Sequence, residues 1–152
     1  MSGEAWRTHI VSRPDEAVEI AGKAQLVGVL GIAPEAKADR PAHFVAKAVQ
    51  ASGARVIPIP VYYPDATTIL GERVYRKVAD VPERPLDVLD VFRRPEDLHL
   101  HLDDIIQAKP KVVWLQSGIT EPAFEEELAR AGIRVVADRC LKVDRAHALS
   151  RL

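Results

Sequence analysis

Cysteine, long apolar runs and an excess of either charge are all scarce in this chain. Cys140 is the single cysteine among 152 residues, so no intrachain disulfide can form, which fits a reducing compartment. No run of about 18 apolar residues, the length that crosses a bilayer, occurs in the sequence. The N-terminus also lacks the basic stretch and apolar core of a secretory signal. We therefore expect a cytoplasmic protein with no membrane partner.

The balance of charge argues against a further class of partner. The formal net charge is -1, so the chain lacks the basic surplus that binding to nucleic acid requires. Its 47% hydrophobic and 28% charged residues are typical of a globular domain. The length suits one domain, and no repeat or linker divides the chain. We predict a single domain over residues 1–152, with residues 1–24 as a helical extension, and leave open a homo-oligomer or an enzyme partner.

Several nucleotide-binding and catalytic motifs are also missing. The dinucleotide fingerprint G-x-G-x-x-G is absent, because Gly28 and Gly31 are too few and wrongly spaced. The apolar run at residues 55–59 is followed by Pro60, with no acidic residue to bind a ribose diol. Both features argue against NAD. The P-loop and the G-x-S-x-G nucleophile elbow are absent too.

The chain does have a regular alternation of short apolar runs with amphipathic segments. The apolar runs are typical of strands buried on both faces, and the segments between them are long enough for crossover helices. Strands are predicted at residues 26–31, 55–59, 86–92, 111–116 and 133–137, and helices at 13–24, 41–52, 95–108, 121–131 and 143–152. This pattern predicts an α/β fold, a doubly wound (Rossmann-like) open parallel sheet of about five strands with helices on both faces.

In such a sheet, ligands bind at the carboxyl ends of the strands, so the strand-to-helix loops are the candidate site. The first loop begins at Gly31, which allows a sharp turn, and leads to a helix that starts at Pro41. Backbone N–H groups at that helix start, with Lys37 and Arg40, would suit a phosphate. The alternative is a plain connection with two solvated cations.

Two further loops carry polar groups. Phe92 is followed by Arg93 and Arg94, which are well placed for a phosphate or pyrophosphate but could instead be solvated or pair with the acidic residues after them. The loop of Gln116, Ser117 and Gly118 offers an amide, a hydroxyl and a free backbone, and could equally be a simple tight turn.

Other reactive residues give weaker signals. Cys140 could be a nucleophile or a redox thiol, but a lone cysteine is more often a small, partly buried residue. His99 and His101 point in different directions on a predicted helix and, with the aspartates that follow, indicate a solvated face rather than a metal site. Asp87 and Asp90 lie three apart on one strand, so they do not form an acid/base pair. We predict no catalytic and no metal site.

Five segments in order resemble the stand-alone CoA-binding proteins. They read VGVLGIAP with RP at residues 27–34 and 40–41, ILGERVY at 69–75, DVLDVFRR at 87–94, VWLQSGI at 113–119 and ADRCLKV at 137–143. These proteins are similar to the CoA-binding domain of the succinyl-CoA synthetase α subunit. The resemblance implies a CoA cradle without the later synthetase domain that carries a phosphorylated histidine.

The resemblance also implies which residues bind coenzyme A or an acyl-CoA. The loop at residues 31–41 would hold the diphosphate, the loop after Ile59 would lie near the adenosine, and Arg93 with the turn at residues 116–118 would line the rest. The chain departs from the family where a common Asn-Pro is Pro60-Val61, and where a Glu-His pair is Asp144-Arg145; a tyrosine near the first departure could stack on adenine. The predicted binding residues are Gly31, Ile32, Ala33, Pro34, Lys37, Arg40, Pro41, Pro60, Tyr62, Phe92, Arg93, Gln116, Ser117 and Gly118.

Three functions are consistent with these observations. The favoured one is a non-catalytic CoA or acyl-CoA binding module that acts as a carrier, a sensor or the partner of an enzyme. The second is an enzyme acting on an acyl-CoA thioester, with Cys140 or a loop residue in the reaction. The third is an NAD-type redox sensor on the same fold, which the missing glycine fingerprint disfavours.

Overall fold

The computed structural model describes residues 3–151, which form seven strands and five α-helices joined by short 3-10 turns. The strands are β1 (Leu26–Leu30), β2 (Arg55–Ile59), β3 (Thr68–Ile69), β4 (Glu72–Arg73), β5 (Val88–Val91), β6 (Val112–Leu115) and β7 (Arg134–Val136). The helices are α1 (Pro14–Lys23), α2 (Pro41–Ala51), α3 (Leu102–Ala108), α4 (Pro122–Arg130) and α5 (Leu141–Leu149).

Five strands form one parallel sheet in the order β2-β1-β5-β6-β7, so the predicted doubly wound fold is confirmed. The chain runs from β1 to one side and later returns to add β5 on the other side, which makes the β1–β5 boundary the topological switch point. Leu30 pairs with both Ile59 and Val91, so the carboxyl ends of the three strands are level. The loops that follow them therefore begin side by side.

The core lies on the two faces of this sheet. On one face, apolar side chains of the strands pack against α1, α2 and α5, and on the other face they pack against α3, α4 and the 3-10 turns. Trp114 of β6 is fully buried, and its indole N–H donates to the carbonyl of Arg139 at 2.8 Å. Apolar residues fill both faces of the central strands, which is why each strand reads as a continuous hydrophobic run.

The buried guanidinium of Arg145 connects helix α5 to α1 and α2 by hydrogen bonds. Arg145 donates to the carbonyls of Ala21 and Ala24 at 2.9 and 2.6 Å, and to the Ser52 hydroxyl at 2.6 Å. Close contact of the helices needs Gly22, because a Cβ there would lie 2.5 Å from a side-chain carbon of α5. Arg145, which departs from the family pattern, therefore satisfies carbonyls left unpaired at the end of α1.

Two segments differ from the sequence-based prediction. The single helix predicted at residues 95–108 is a 3-10 helix, Pro95–His101, followed by α3. The loop predicted after β2 contains the β3–β4 hairpin, whose turn residues Leu70 and Gly71 have φ values of 53° and 75°. No asparagine-glycine pair marks this turn, so the sequence carried no hairpin signal. Within residues 3–151 no helix is long and apolar enough to cross a membrane.

Candidate functional site

The loop after β1 and the loop after β5 touch through their main chains at the switch point. Gly31 has a φ of 85°, and a Cβ there would stand 2.3 Å from the carbonyl oxygen of Phe92. Phe92 is in turn held by its N–H, which donates to the carbonyl of Leu30 at 2.9 Å. Only glycine fits both this conformation and this approach. The loops after β1 and β5 are thus in direct main-chain contact.

The loop after Gly31 is held by a buried histidine that sequence patterns did not single out. His43 Nδ1 lies 2.8 Å from the carbonyl oxygen of Ala33; because the carbonyl can only accept, Nδ1 is the donor. Ile32 and Ala33 are buried, and the Ala33 N–H donates to the carbonyl of Ala42 at 3.1 Å, so these two residues present almost no surface to a ligand. The Glu35 carboxylate accepts the N–H of Leu70 at 2.7 Å, which fastens the hairpin to the same loop.

The predicted cations of this loop, Lys37 and Arg40, are exposed to solvent just before α2. Lys37, Arg40 and Pro41 are exposed, and Pro34 is half-buried. The Arg40 guanidinium donates to the hydroxyl of Tyr63 at 3.2 Å, which links the first loop to the second. The N-terminal end of α2, a helix of 11 residues, adds positive potential at the same place.

The loop after β2 is held in place by Arg76, a residue that the sequence patterns did not indicate. Arg76 donates to the carbonyls of Tyr62, Tyr63 and Ala66 at 3.1, 2.8 and 3.0 Å. Pro60 is buried, whereas the Tyr62 side chain is 61% exposed. The loop main chain is therefore fixed while the Tyr62 ring faces solvent at the crevice.

Arg93 is bound by neighbouring side chains under that ring. Its Nη1 donates to the Tyr62 hydroxyl at 3.3 Å, its Nε donates to His101 Nε2 at 3.0 Å, and its side chain is only 8% exposed. The guanidinium carbon lies 5.6 Å from the centre of the Tyr62 ring. Gly31 is close too, since a Cβ there would lie 3.5 Å from the Arg93 Cδ. Three loops therefore converge on Arg93.

The two adjacent arginines have different environments. Arg94 is exposed and pairs with Asp97 at 3.0 Å and with Glu96 at 3.5 Å, as the solvated alternative predicted. Arg93 approaches Asp97 only to 3.9 Å. The alternative prediction, that the arginines are solvated or pair with the acidic residues after them, therefore fits the exposed Arg94 but not the largely buried Arg93.

The histidines after Arg93 also behave differently from each other. The prediction of a solvated face fits His99, which is exposed, but is wrong for His101 and Asp104. The Asp104 carboxylate accepts two backbone N–H groups of the turn Val78–Asp80 at 2.8 and 2.9 Å. His101 is half-buried, and burial, followed by the charge of Arg93, lowers its pKa from the ordinary value.

The loop after β6 has fewer unbonded polar groups than the sequence predicted. The Gln116 side chain is buried and its oxygen accepts the N–H of Leu141 at 2.9 Å, which satisfies a donor at the start of α5. The N–H of Gly118 donates to Asp138 at 2.6 Å, so the expectation of a free backbone there is wrong for this group. Ser117 is exposed and keeps its hydroxyl in solvent.

Cys140 is half-buried immediately before α5. The adjacent Arg139 donates to the buried carboxylate of Asp144 at 2.6 and 2.9 Å, so its charge is already compensated. Among residues 3–151, no three histidine, cysteine or acidic side chains cluster as metal ligands would.

Asp90 is a fully buried carboxyl in the middle of the sheet, on β5 between Val29 of β1 and Trp114 of β6. Neither of its oxygens has a hydrogen-bond partner in the protein. Burial raises its pKa well above the ordinary value, and the nearby N–H of Val91 opposes this only in part. Asp87 instead accepts two backbone N–H groups and pairs with a lysine, so the two carboxyls form no acid/base pair.

Comparisons with known proteins agree with this architecture. A family model described as a CoA binding domain matches residues 12–146. A Bacillus subtilis protein, the uncharacterized protein YneT, is 29% identical over 136 residues, which cover 90% of this chain and 95% of that one. The structure of a Thermus thermophilus protein, cell-free ID.343, has a TM-score of 0.80 at 38% identity and covers 90% of this chain and 99% of that chain.

A larger protein contains the same fold. The dinucleotide-forming acetyl-coenzyme A synthetase 1 of Candidatus Korarchaeum cryptofilum superposes with a TM-score of 0.56 over 72% of this chain and 25% of its own chain. At 23% identity this likeness concerns the fold alone.

Proposed function

The chain belongs to the CoA-binding domain family, and from this premise we propose that it binds coenzyme A or an acyl-CoA through the loops at the carboxyl ends of its strands. The observation that carries the proposal is the contact of Gly31 with the Phe92 carbonyl at the switch point. This contact brings the loops after β1 and β5 together at the switch point, where open α/β sheets bind their ligands.

Each part of the ligand has a counterpart in the loops. The diphosphate would lie along residues 31–41, where Lys37, Arg40 and the start of α2 supply positive charge. The adenosine would lie beside Pro60, against the exposed ring of Tyr62. Phe92, Arg93 and the turn at residues 116–118 would line the remainder of the crevice. We propose that the whole chain serves as one binding domain for this ligand.

A binding role without chemistry is the best supported form of this function. The arginine next to Cys140 is bound bidentately by Asp144, so it does not activate the thiol as a catalytic mechanism on acyl-CoA would need. The end of β2 leads into buried Pro60 and offers no carboxylate to a ribose diol, which disfavours NAD. We propose a carrier or sensor of CoA, or a module that presents CoA to an enzyme.

Thermal unfolding in the presence of candidate ligands tests the proposal. A ligand present at 100 times its Kd stabilises the folded state by about 2.7 kcal/mol, which raises the Tm of a chain of this size by about 5–10 °C. We expect this rise with CoA and acetyl-CoA, and no rise with NAD or ATP at equal concentration. An absent shift with millimolar CoA would refute CoA binding, and a shift with NAD would favour the redox-sensor function.

Arg40 offers a direct test of the diphosphate position. Because the side chain is exposed and makes one hydrogen bond to Tyr63, Arg40→Gln should leave the Tm unchanged. Loss of a charge-assisted hydrogen bond should weaken CoA binding about tenfold or more in isothermal titration calorimetry. Lys47→Gln is the matched control, since it removes an equal charge from an exposed position further along α2. Equal affinity in both variants would move the diphosphate elsewhere.

A further inference from the structure

His101 is the hydrogen-bond partner of Arg93, the largely buried arginine that follows β5. The two side chains come from opposite ends of one segment, Arg93 just after β5 and His101 at the end of the 3-10 helix Pro95–His101. Arg93 Nε lies 3.0 Å from His101 Nε2. A guanidinium only donates, so Nε2 must accept, and the imidazole is therefore neutral with its proton on Nδ1.

A neutral acceptor fixes an arginine without cancelling its charge. Arg139 is bound by the carboxylate of Asp144 at 2.6 Å and is thereby neutralised. The carboxylate nearest to Arg93 is Asp97, which stays 3.9 Å away and already pairs with Arg94 at 3.0 Å. Arg93 is thus a largely buried cation that shares its nearest carboxylate with Arg94, and it lies beside Gly31. Such a cation attracts an anion more strongly than a solvated one does.

We propose that His101 is a positioning residue for ligand binding, which holds Arg93 without adding a negative charge, so that Arg93 can bind a phosphate oxygen of CoA, and which releases it when the imidazole becomes protonated. This inference rests on the proposed function and adds to it a pH-dependent control. Protonated His101 would carry a proton on Nε2, could no longer accept from Arg93, and would repel it.

The surroundings of His101 favour the neutral form. The charged and titratable groups near it are Arg93, Asp97, Asp104 and His99, with Arg76, Lys77 and Asp103 lining a surface cavity beside the ring. The first four act on it most directly, with Arg93 and His99 disfavouring the imidazolium and the two aspartates favouring it. Arg76 is held by backbone carbonyls and Asp104 by backbone N–H groups, so neither is free to move towards the ring. Burial outweighs these charges and lowers the pKa of His101, so protonation falls on the acid side of neutrality.

Two substitutions separate the position of Arg93 from its charge. His101→Gln retains a neutral acceptor that does not titrate, and His101→Glu supplies an acceptor that also cancels the charge of Arg93. Calorimetry with CoA at pH 7.5 should give an unchanged Kd for His101→Gln and a Kd raised about tenfold or more for His101→Glu. His99→Gln is the matched control at an exposed position on the same turn, because it replaces an imidazole by the same neutral amide, and we expect it to bind CoA at pH 7.5 as the wild type does.

Acidification supplies a readout that a merely structural role would not change. NMR of the His101 ring gives the pH at which it becomes protonated, and CoA binding is then compared on both sides of that pH. The wild type should lose affinity relative to His101→Gln as the ring protonates. The phosphates of CoA titrate equally in both comparisons, so the difference between the two proteins belongs to His101.

The outcomes are distinguishable. If the wild type binds no CoA at any pH, the proposed function fails and this inference fails with it. If the wild type binds CoA but His101→Glu binds equally well, or if the wild type and His101→Gln follow the same pH profile, the inference alone is overturned. Should His101→Glu not fold, the pH comparison with His101→Gln decides the question.

Discussion

Gly31→Ala should be the most damaging single-atom change at the proposed site. The added Cβ would stand 2.3 Å from the Phe92 carbonyl oxygen and 3.1 Å from its carbonyl carbon, both of them backbone atoms. Phe92 cannot move away cheaply, because its N–H is bonded to Leu30 across β1 and β5. The φ of 85° adds conformational strain. We expect a loss of at least about 3 kcal/mol in the free energy of unfolding, and no measurable CoA binding.

Gly118→Ala is the matched control for this prediction. Gly118 has an almost identical φ of 83°, but a Cβ there has no atom within 4 Å. The control should therefore lose only about 1–2 kcal/mol, the cost of the left-handed conformation for an alanine. Urea denaturation monitored by circular dichroism gives both values. Equal losses in the two variants would mean that backbone contact at the switch point does not make Gly31 necessary.

Asp90→Asn should stabilise the protein at neutral pH. An aspartate in the unfolded chain ionises near pH 3.9, whereas burial raises the pKa of Asp90 in the folded state. Folding above about pH 4 must therefore take up a proton at this group, so stability is fully present below that pH and is lost as pH rises towards the folded pKa. Removing the ionisable group should therefore raise both the free energy of unfolding and the Tm at pH 7.

The pH dependence distinguishes this cause from a general packing effect. The gain from Asp90→Asn should shrink on acidification and vanish below about pH 4, where the unfolded chain is protonated too. Asp103→Asn, at an exposed position, should change stability little at any pH. Calorimetric unfolding of the three proteins from pH 3.5 to 8 measures the difference. A variant less stable than the wild type at pH 7 would show that the carboxylate of Asp90 is compensated in the folded state.

Much of the fold was predictable because parallel strands and their crossover helices leave strong local patterns. Runs such as VVWL in β6 are buried on both faces, and proline starts α2 and α4 while glycine follows their ends. The two errors lie where local signals are weak. The β3–β4 turn uses Leu70 in a left-handed conformation, and the winding of residues 95–101 depends on contacts with other segments.

The sequence predicted where in the fold the candidate site lies, but it did not predict which side chains contact one another there. Placing it in the loops that follow β1, β2, β5 and β6 needed only the rule for open α/β sheets, together with the family resemblance. Which side chains are available needed the structure, since Arg93 is bound by its neighbours, Gln116 is occupied by Leu141, and His101 was assigned to a solvated face. That these residues contact CoA stays a prediction.

The sequence alone determined the fold class, the family and the sheet edge at which a ligand should bind, because periodicity, turn residues and motif order are local properties of the chain. Tertiary structure alone decided that Gly31 must lack a side chain, that His101 bonds to Arg93, and that Asp90 is buried without a partner. Those facts depend on distances between segments far apart in sequence, which are set only when the strands pair and the helices pack against them.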